Sequence, residues 1–499
     1  MTSFSKTRVI LVQLLCLGLI FSIIIVSWYP EKDTTPEQVS FDPKQTTSQL
    51  DIEQMATEKG YLYESQLLFF AQEFLTNYYG KNEAAKKQVD SLLQGTKNSL
   101  VSSLQYLEQD KNAEQKPALT SLERKKFIMS LWLEESAAQE KLCYHLIDRK
   151  DFEESPALRS VDEMLLRKCD NLANITTEPV APLKLEEYEI LKNQLGWFAG
   201  VFQTTLLAER TDVFNQTLSD AKAATISLLK IGLIILAIVL ASIISASTLT
   251  VKLLKKSLIF RFTQASIPTP LILETFTLYL AAMLSLPLGL KLLKNFDITL
   301  NPLMVNLFGI SSLVLLVWWP TLCKAQTKDV EQSFGLAPAG SISLTIRNLC
   351  AGPYGYLAAI VPLIIFMGLY SIILDFLGVQ PSDGAHPIVP VISETKSQIT
   401  LYAIFFMAVV VAPFVEEIMF RGVFYSWLRS RCSISASIAI SALVFASVHP
   451  QGPIGLLPLS LIGAVLAFLR EWRGSLVSPM LAHACFNAGT LALAMGILR

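Results

Sequence analysis

Two regimes of apolar patterning divide the chain. Between residues 30 and 222, apolar positions recur at helical spacing among Glu, Lys, Gln, Asp and Ser, as in Leu67-Leu68-Phe69-Phe70-Ala71-Gln72-Glu73-Phe74-Leu75 and again from Leu122 to Leu133. Gly and Pro are sparse inside these runs, which predicts an all-α soluble domain of several amphipathic helices with no clean repeat period. From about residue 225 the apolar runs lengthen to roughly bilayer-crossing size at 225–250, 267–290, 301–323, 349–379, 399–421, 434–449, 453–470 and 474–497. A further run from Val9 to Trp28, interrupted by Gln13, Ser22 and Ser27, leaves through Ser27-Trp28-Tyr29-Pro30 without a small-residue cleavage pattern. It predicts an uncleaved signal-anchor helix, a cleaved signal being the alternative. The expected fold is all-α: a polytopic membrane helix bundle of about nine transmembrane helices, with the soluble domain inserted after the first helix. The expected divisions are 1–29 (N-terminus and anchor), 30–222 (helical domain), 223–330 (linking membrane helices) and 331–499 (bundle core).

Composition agrees with a membrane protein: hydrophobic residues are 52%, charged residues 17%, and the mean hydropathy is +0.44. A formal net charge of −1 and the lack of a basic stripe argue against nucleic acid as a partner. The seven Cys form no C-x-x-C pair, so neither a zinc finger nor a dithiol redox motif is indicated. Cys143 and Cys169, both in the helical domain, suit either a disulfide or two free thiols. With the N-terminus inside, the inner connectors carry Lys6, Arg8, Lys252, Lys255, Lys256, Arg261, Lys324, Lys328, Arg347, Arg429, Arg431, Arg470 and Arg473. The outer loops carry Lys291 or Lys294 at a helix end, and Lys396. This bias places the N-terminus in the cytoplasm of a cell (inner or plasma) membrane and residues 30–222 outside it.

Within one apolar run stands Glu416-Glu417-Ile418-Met419-Phe420-Arg421. A charge at bilayer depth costs several kcal/mol unless it is paired or faces a wet cavity, so three in six positions point to function. Glu417 and Arg421, four apart with Glu first, suit an intrahelical ion pair. Glu416 lies about 140° around an ideal helix from Arg421 and is left free. Counting about 1.5 Å per residue down from Glu416 to the turn at Arg431 and back up to His449 brings these two to one depth. His483 and Asn487 share a face of the last helix and lie within a turn or two of that level. A free Glu can activate water, His449 can orient it, and His483 with Asn487 can donate to an oxyanion. Two His and a Glu would equally suit a catalytic zinc.

Singly, these residues have plain readings: an ion pair as helix glue, His449 before Pro450 as a helix end, Asn487 as an interhelical hydrogen bond. His386, beside Pro381, Asp383 and Pro387, reads as loop, and Trp318 and Trp319 as an interfacial belt. The functional reading gains force because the plain one must hold at four places at once.

The runs Glu416-Glu417-x-x-x-Arg421, Phe445-x-x-x-His449 and His483-x-x-x-Asn487, together with Phe420-Arg421-Gly422 and Ser478-Pro479-Met480, resemble the CAAX-protease and bacteriocin-processing (CPBP, or Abi) family of intramembrane peptidases, which includes the type II CAAX prenyl endopeptidases. The resemblance covers about 399–497, with looser support back to 330 from Phe334-Gly335-Leu336. It implies a bacterial-type, glutamate-dependent or metallo endopeptidase core within 331–499. Glu416 and His449 would activate water, His483 and Asn487 would form the oxyanion site, and Glu417 and Arg421 would support them. The substrate would be a membrane-associated or lipidated protein or peptide. No cofactor is required on that reading, zinc being the alternative. The helical domain departs from the family core, and the resemblance is silent on its partner. Two other classes compete: a catalytically silent scaffold or bacteriocin self-immunity protein, and a transporter, which no inverted repeat supports.

Overall fold

The computed structural model describes residues 6–28, 49–79, 91, 94–95, 98, 120–134, 136–147, 156–172, 183–206, 212–294, 302–338, 340–377, 392, 395 and 397–498. Tyr29 and Pro30, Lys396, and His386 with Pro381, Asp383 and Pro387 lie outside them. The described residues are 87% helix, with no strands among them. They fall into two compact units, Ala56–Ile234 and a second made of Met1–Met55 with Ile235–Arg499.

The first unit contains most of α2 (Gln49–Tyr79), then α3 (Ser121–Trp132), α4 (Ser136–Ile147), α5 (Pro156–Leu172), α6 (Leu185–Leu195), α7 (Phe198–Leu206) and the start of α8 (Asp212–Leu254). Its core gathers the apolar stripes of the amphipathic helices, with Phe69 buried against Trp132 at 5.0 Å, Trp197 at 5.5 Å and Phe214 at 6.0 Å between ring centroids. Thr120 and Glu123 form a reciprocal capping box that starts α3. A bidentate pair, Arg124 to Asp162 at 2.7 and 2.8 Å, is buried between α3 and α5. The Cys143–Cys169 disulfide joins α4 to α5.

The second unit is the membrane bundle. It comprises α1 (Lys6–Trp28), the rest of α8, α9 (Thr269–Lys294), α10 (Pro302–Leu313), α11 (Thr327–Phe334), α12 (Ile342–Phe376), α13 (Gln398–Arg429), α14 (Ile434–Ser447), α15 (Gly452–Arg473) and α16 (Val477–Leu498). Among the described residues six helices are long and apolar enough to cross a membrane, and three shorter apolar helices, Val9–Ile23, Leu307–Leu322 and Ile434–Ser447, accompany them. Small residues set the closest approaches, as expected where no hydrophobic effect drives helices together. A Cβ on Gly463 would meet Ala442 at 3.0 Å, so α15 lies hard against α14. A Cβ on Gly352 would strike Leu481 at 2.7 Å, so α12 lies hard against α16. On the other side α9 is fixed by rings: Phe276 stacks on Phe424 at 4.5 Å and meets Phe420 edge-on at 5.4 Å. Trp319, expected in an interfacial belt, donates its indole N–H to Glu274 at 3.3 Å.

Uniform helix geometry through 399–421 is corrected by the structure. α13 widens to π-helical turns at Met407–Val411 and Ile418–Phe424, on either side of an α-helical block from Ala412 to Glu417. Pro413 explains the first, because it has no N–H to donate and its ring crowds the preceding turn. In the second, the Tyr425 N–H reaches five residues back to Phe420.

Replacing Asp162 by Ala takes the bidentate carboxylate away from the buried Arg124 charge. The expected loss is about 3–5 kcal/mol of helical-unit stability, read as a fall in the thermal midpoint of the full chain.

Candidate active site

Of the residues singled out in sequence, Glu416, Glu417, Arg421, His449 and His483 meet, whereas Asn487 bonds elsewhere, to α13. Glu417 and Arg421 form the intrahelical pair at 2.9 Å, both side chains fully buried. The carboxylate is shared, since His483 Nδ1 lies 2.9 Å from the same Glu417 oxygen. A carboxylate only accepts, so this contact assigns the proton to Nδ1 and turns Nε2 the other way. His449 is oriented alike: its Nδ1 is 2.6 Å from the carbonyl oxygen of Phe445, one turn back in α14. Both Nε2 atoms face Glu416, with His449 Nε2 3.8 Å and His483 Nε2 3.9 Å from its Oε2.

The two adjacent glutamates therefore differ. Glu417 is wholly enclosed, whereas the Glu416 side chain keeps 24% of its surface exposed, between two imidazoles too distant for direct hydrogen bonds. Phe445 forms the wall between them. Its ring lies 4.2 Å from the Arg421 guanidinium carbon, 4.4 Å from the His449 ring and 5.7 Å, edge-on, from the His483 ring. Asn487 Nδ2 donates to the backbone carbonyl of Ala408 at 2.7 Å, joining α16 to the first π-helical turn of α13 and leaving its second N–H uncommitted by that bond. One of the residues thus also makes the interhelical bond expected of an intramembrane Asn.

The Nε2···Oε2 separations exceed the roughly 3.3 Å that spans two ligands of a tetrahedral zinc with bonds of about 2.0–2.1 Å. Among the described residues no group of three His, Cys, Asp or Glu is disposed to hold a metal ion. As placed, Glu416, His449 and His483 do not close around one.

Three participants escape sequence reasoning. Arg470 and Arg429, which the charge bias counts as connector residues, are turned inward. Arg470 is fully buried, donates from Nε to the carbonyl of Arg421 at 3.1 Å and from Nη1 to the carbonyl of Gly474, and rests on the Phe262 ring. It occupies the space a Cβ on Gly335 would need, and Gly335 has a φ of +75° that favours glycine in any case. Arg429 binds the buried Glu471 through Nε at 3.0 Å, and Tyr425 donates to the same carboxylate at 2.9 Å. Tyr279 of α9, buried against Phe420 at 6.2 Å, lies within electrostatic reach of Glu416. For Arg470 the available signal is its adjacency to Glu471 at the end of an apolar run; for Tyr279 there is none.

Residues 398–489 match the family model described as type II CAAX prenyl endopeptidase Rce1-like. The matched segment begins at α13 and ends beyond Asn487, so it contains every residue of the constellation. Neither a curated protein nor a solved structure matches the chain.

The two glutamates should separate in stability. Glu417→Gln removes the counter-charge of a buried guanidinium and is expected to cost about 3–5 kcal/mol. Glu416→Gln breaks no direct hydrogen bond and should leave the thermal midpoint of the detergent-purified chain nearly unchanged.

Proposed function

We propose that the chain, whose residues 398–489 match the type II CAAX prenyl endopeptidase Rce1-like model, is a multi-pass membrane protein that hydrolyses peptide bonds of a membrane-associated or lipidated protein or peptide by means of a water activated by Glu416. The observation that carries this reading is the convergence of the Nε2 atoms of His449 and His483 on one oxygen of Glu416, at 3.8 and 3.9 Å. A water at ordinary hydrogen-bond distance, about 2.8 Å from each group, spans such a gap.

The water donates one proton towards Glu416 and the other to the lone pair of His449 Nε2. Glu416 takes the proton as the water oxygen attacks the scissile carbonyl carbon. The carbonyl π pair moves onto oxygen, where the second N–H of Asn487 and an N–H at Nε2 of His483 meet it. Glu417 holds His483 with its Nε2 turned towards that oxygen, and Arg421 holds Glu417 in place. Collapse of the oxyanion breaks the C–N bond, and Glu416 passes its proton to the departing amine. No cofactor enters this scheme. The helical unit has no part in it, and its partner is a separate question.

In the same reading the N-terminus lies in the cytoplasm of the cell membrane and residues 30–222 outside it. The connector charges support this even after Arg470, which is buried, and Arg429, which is half-buried and bonded to Glu471, are discounted. So does the Cys143–Cys169 disulfide, a bond at home in an oxidising compartment.

Glu416→Gln is expected to lower peptide cleavage by roughly 10²–10⁴-fold, measured as products lost between membranes of wild type and variant, with a chelator leaving wild-type cleavage intact. Unchanged cleavage in the variant would leave a scaffold as the better account, and loss on chelation a metal-dependent one. Protease added outside sealed, right-side-out cells should cut within residues 30–222; protection of that region would reverse the orientation.

A further inference from the structure

Most charges of the bundle core are matched with an opposite charge, but one group at its inner end is not. The segment after α8 runs alongside the end of α15, where the Arg261 N–H meets the carbonyls of Glu471 and Trp472 at 3.3 and 3.2 Å, and the Phe262 N–H that of Glu471 at 3.2 Å. This sets Arg261 beside Arg473, the last residue of α15. Arg473 forks onto the side-chain oxygen of Asn348, from Nε at 3.0 Å and Nη2 at 2.9 Å. Arg347 is the neighbour of Asn348 on α12. Arg261 and Arg347 are both close enough for their charges to repel that of Arg473. Lys252, in the last turn of α8, adds a fourth cation over the Tyr354 ring at 5.6 Å, and Tyr354 packs on Trp472 at 6.1 Å.

Among the described residues, no carboxylate forms an ion pair with any of these four. The nearby acid, Glu471, is buried and committed to Arg429 and Tyr425. Three arginines brought together against their own repulsion by the backbone bonds of Arg261 and the fork of Arg473 on Asn348, and flanked by rings suited to the membrane boundary, call for an anion. A phosphate takes arginine forks well, and at this place in a membrane protein the phosphates at hand belong to lipid headgroups.

We propose that Lys252, Arg261, Arg347 and Arg473 form a binding site for the phosphodiester headgroup of an anionic membrane lipid. Occupancy joins α8, α12 and α15, and through Asn348, whose carbonyl accepts the Ser478 hydroxyl at 2.8 Å, it also braces the start of α16, the helix of His483. The site does not depend on the protease chemistry; only its assignment to the inner leaflet rests on the orientation proposed above.

The test uses the full chain, purified in detergent and stripped of lipid, with its thermal midpoint followed against added phosphatidylglycerol, phosphatidylcholine or inorganic phosphate. Phosphatidylglycerol should raise the midpoint saturably, and the other two should not. Arg261 and Arg347 are exposed and, among the described residues, make no side-chain bond, so Arg261→Gln with Arg347→Gln should fold, and its lipid-free midpoint should equal or exceed wild type. Its half-saturating phosphatidylglycerol concentration should rise by about fivefold per arginine removed, while the exposed Lys328→Gln on α11 should match wild type. The proposal is overturned if the double variant keeps the wild-type half-saturation, or if phosphatidylcholine stabilises as well. It is equally overturned if inorganic phosphate alone reproduces the effect, since the source is then not a lipid.

Discussion

An ionised glutamate and an ionised arginine, neither touching water, sit in the middle of an apolar bundle, and much of the surrounding architecture answers to that cost. Desolvating both groups is expensive, and their mutual attraction offsets it only when the remaining donors and acceptors also find partners. Arg421 gains the Phe445 ring at 4.2 Å and the carbonyl of Gly463 at 3.2 Å, and Glu417 gains His483. The Gly463 contact needs α15 hard against α14, which the missing Cβ permits. Even so, among the described residues Glu417 Oε2 and Arg421 Nε find no hydrogen-bond partner. A pair that is costly and incompletely satisfied is a poor source of stability. Its use is orientation, because it fixes the one carboxylate that sets the tautomer and direction of His483.

The π-helical turns serve the same end. An ordinary helix holds successive side chains about 100° apart along one uniform spiral. With wider turns before and after Ala412–Glu417, the block holding both glutamates is set in its own register against α14 and α16. Widening a helix displaces backbone acceptors, and here a buried side chain meets one of them: Arg470 donates to the carbonyl of Arg421 within the second wide turn. Arg470 therefore belongs to the machinery that holds the pair, although it lies 49 residues away in sequence.

This difference in range explains what the sequence discloses and what it hides. The Glu417–Arg421 pair and the shared face of His483 and Asn487 depend on spacings of four residues, which a helix dictates. The matching depth of Glu416 and His449 follows from equal lengths of chain on either side of one turn, and small departures from ideal geometry nearly cancel. The apolar runs disclose the bundle for the same local reason. The π turns are harder to foresee: Pro413 hints at one, and the other involves a partner on another helix. The inward turn of Arg429 and Arg470 likewise depends on Glu471, Phe262 and Gly335, which adjoin them only once the helices are packed. Tyr279 reaches the site from a helix with no motif at all.

Glu416 and Glu417 show why packing and not residue type sets the chemistry. Each carboxylate could serve as a base in isolation. Glu417 is held by a guanidinium and an imidazole, so protonating it would break the contacts that justify its burial. Glu416 has neither within hydrogen-bond distance, and in an apolar bundle a carboxylate without a direct partner can stay charged only if water reaches it. Its partial exposure is thus the condition for its use as a base, and the water that solvates it is the reagent the proposed hydrolysis consumes. On the proposed reading, the deep Glu417–Arg421 pair is positional, the carboxylate left to water is the reactive one, and the cations at the rim are those a lipid phosphate can answer.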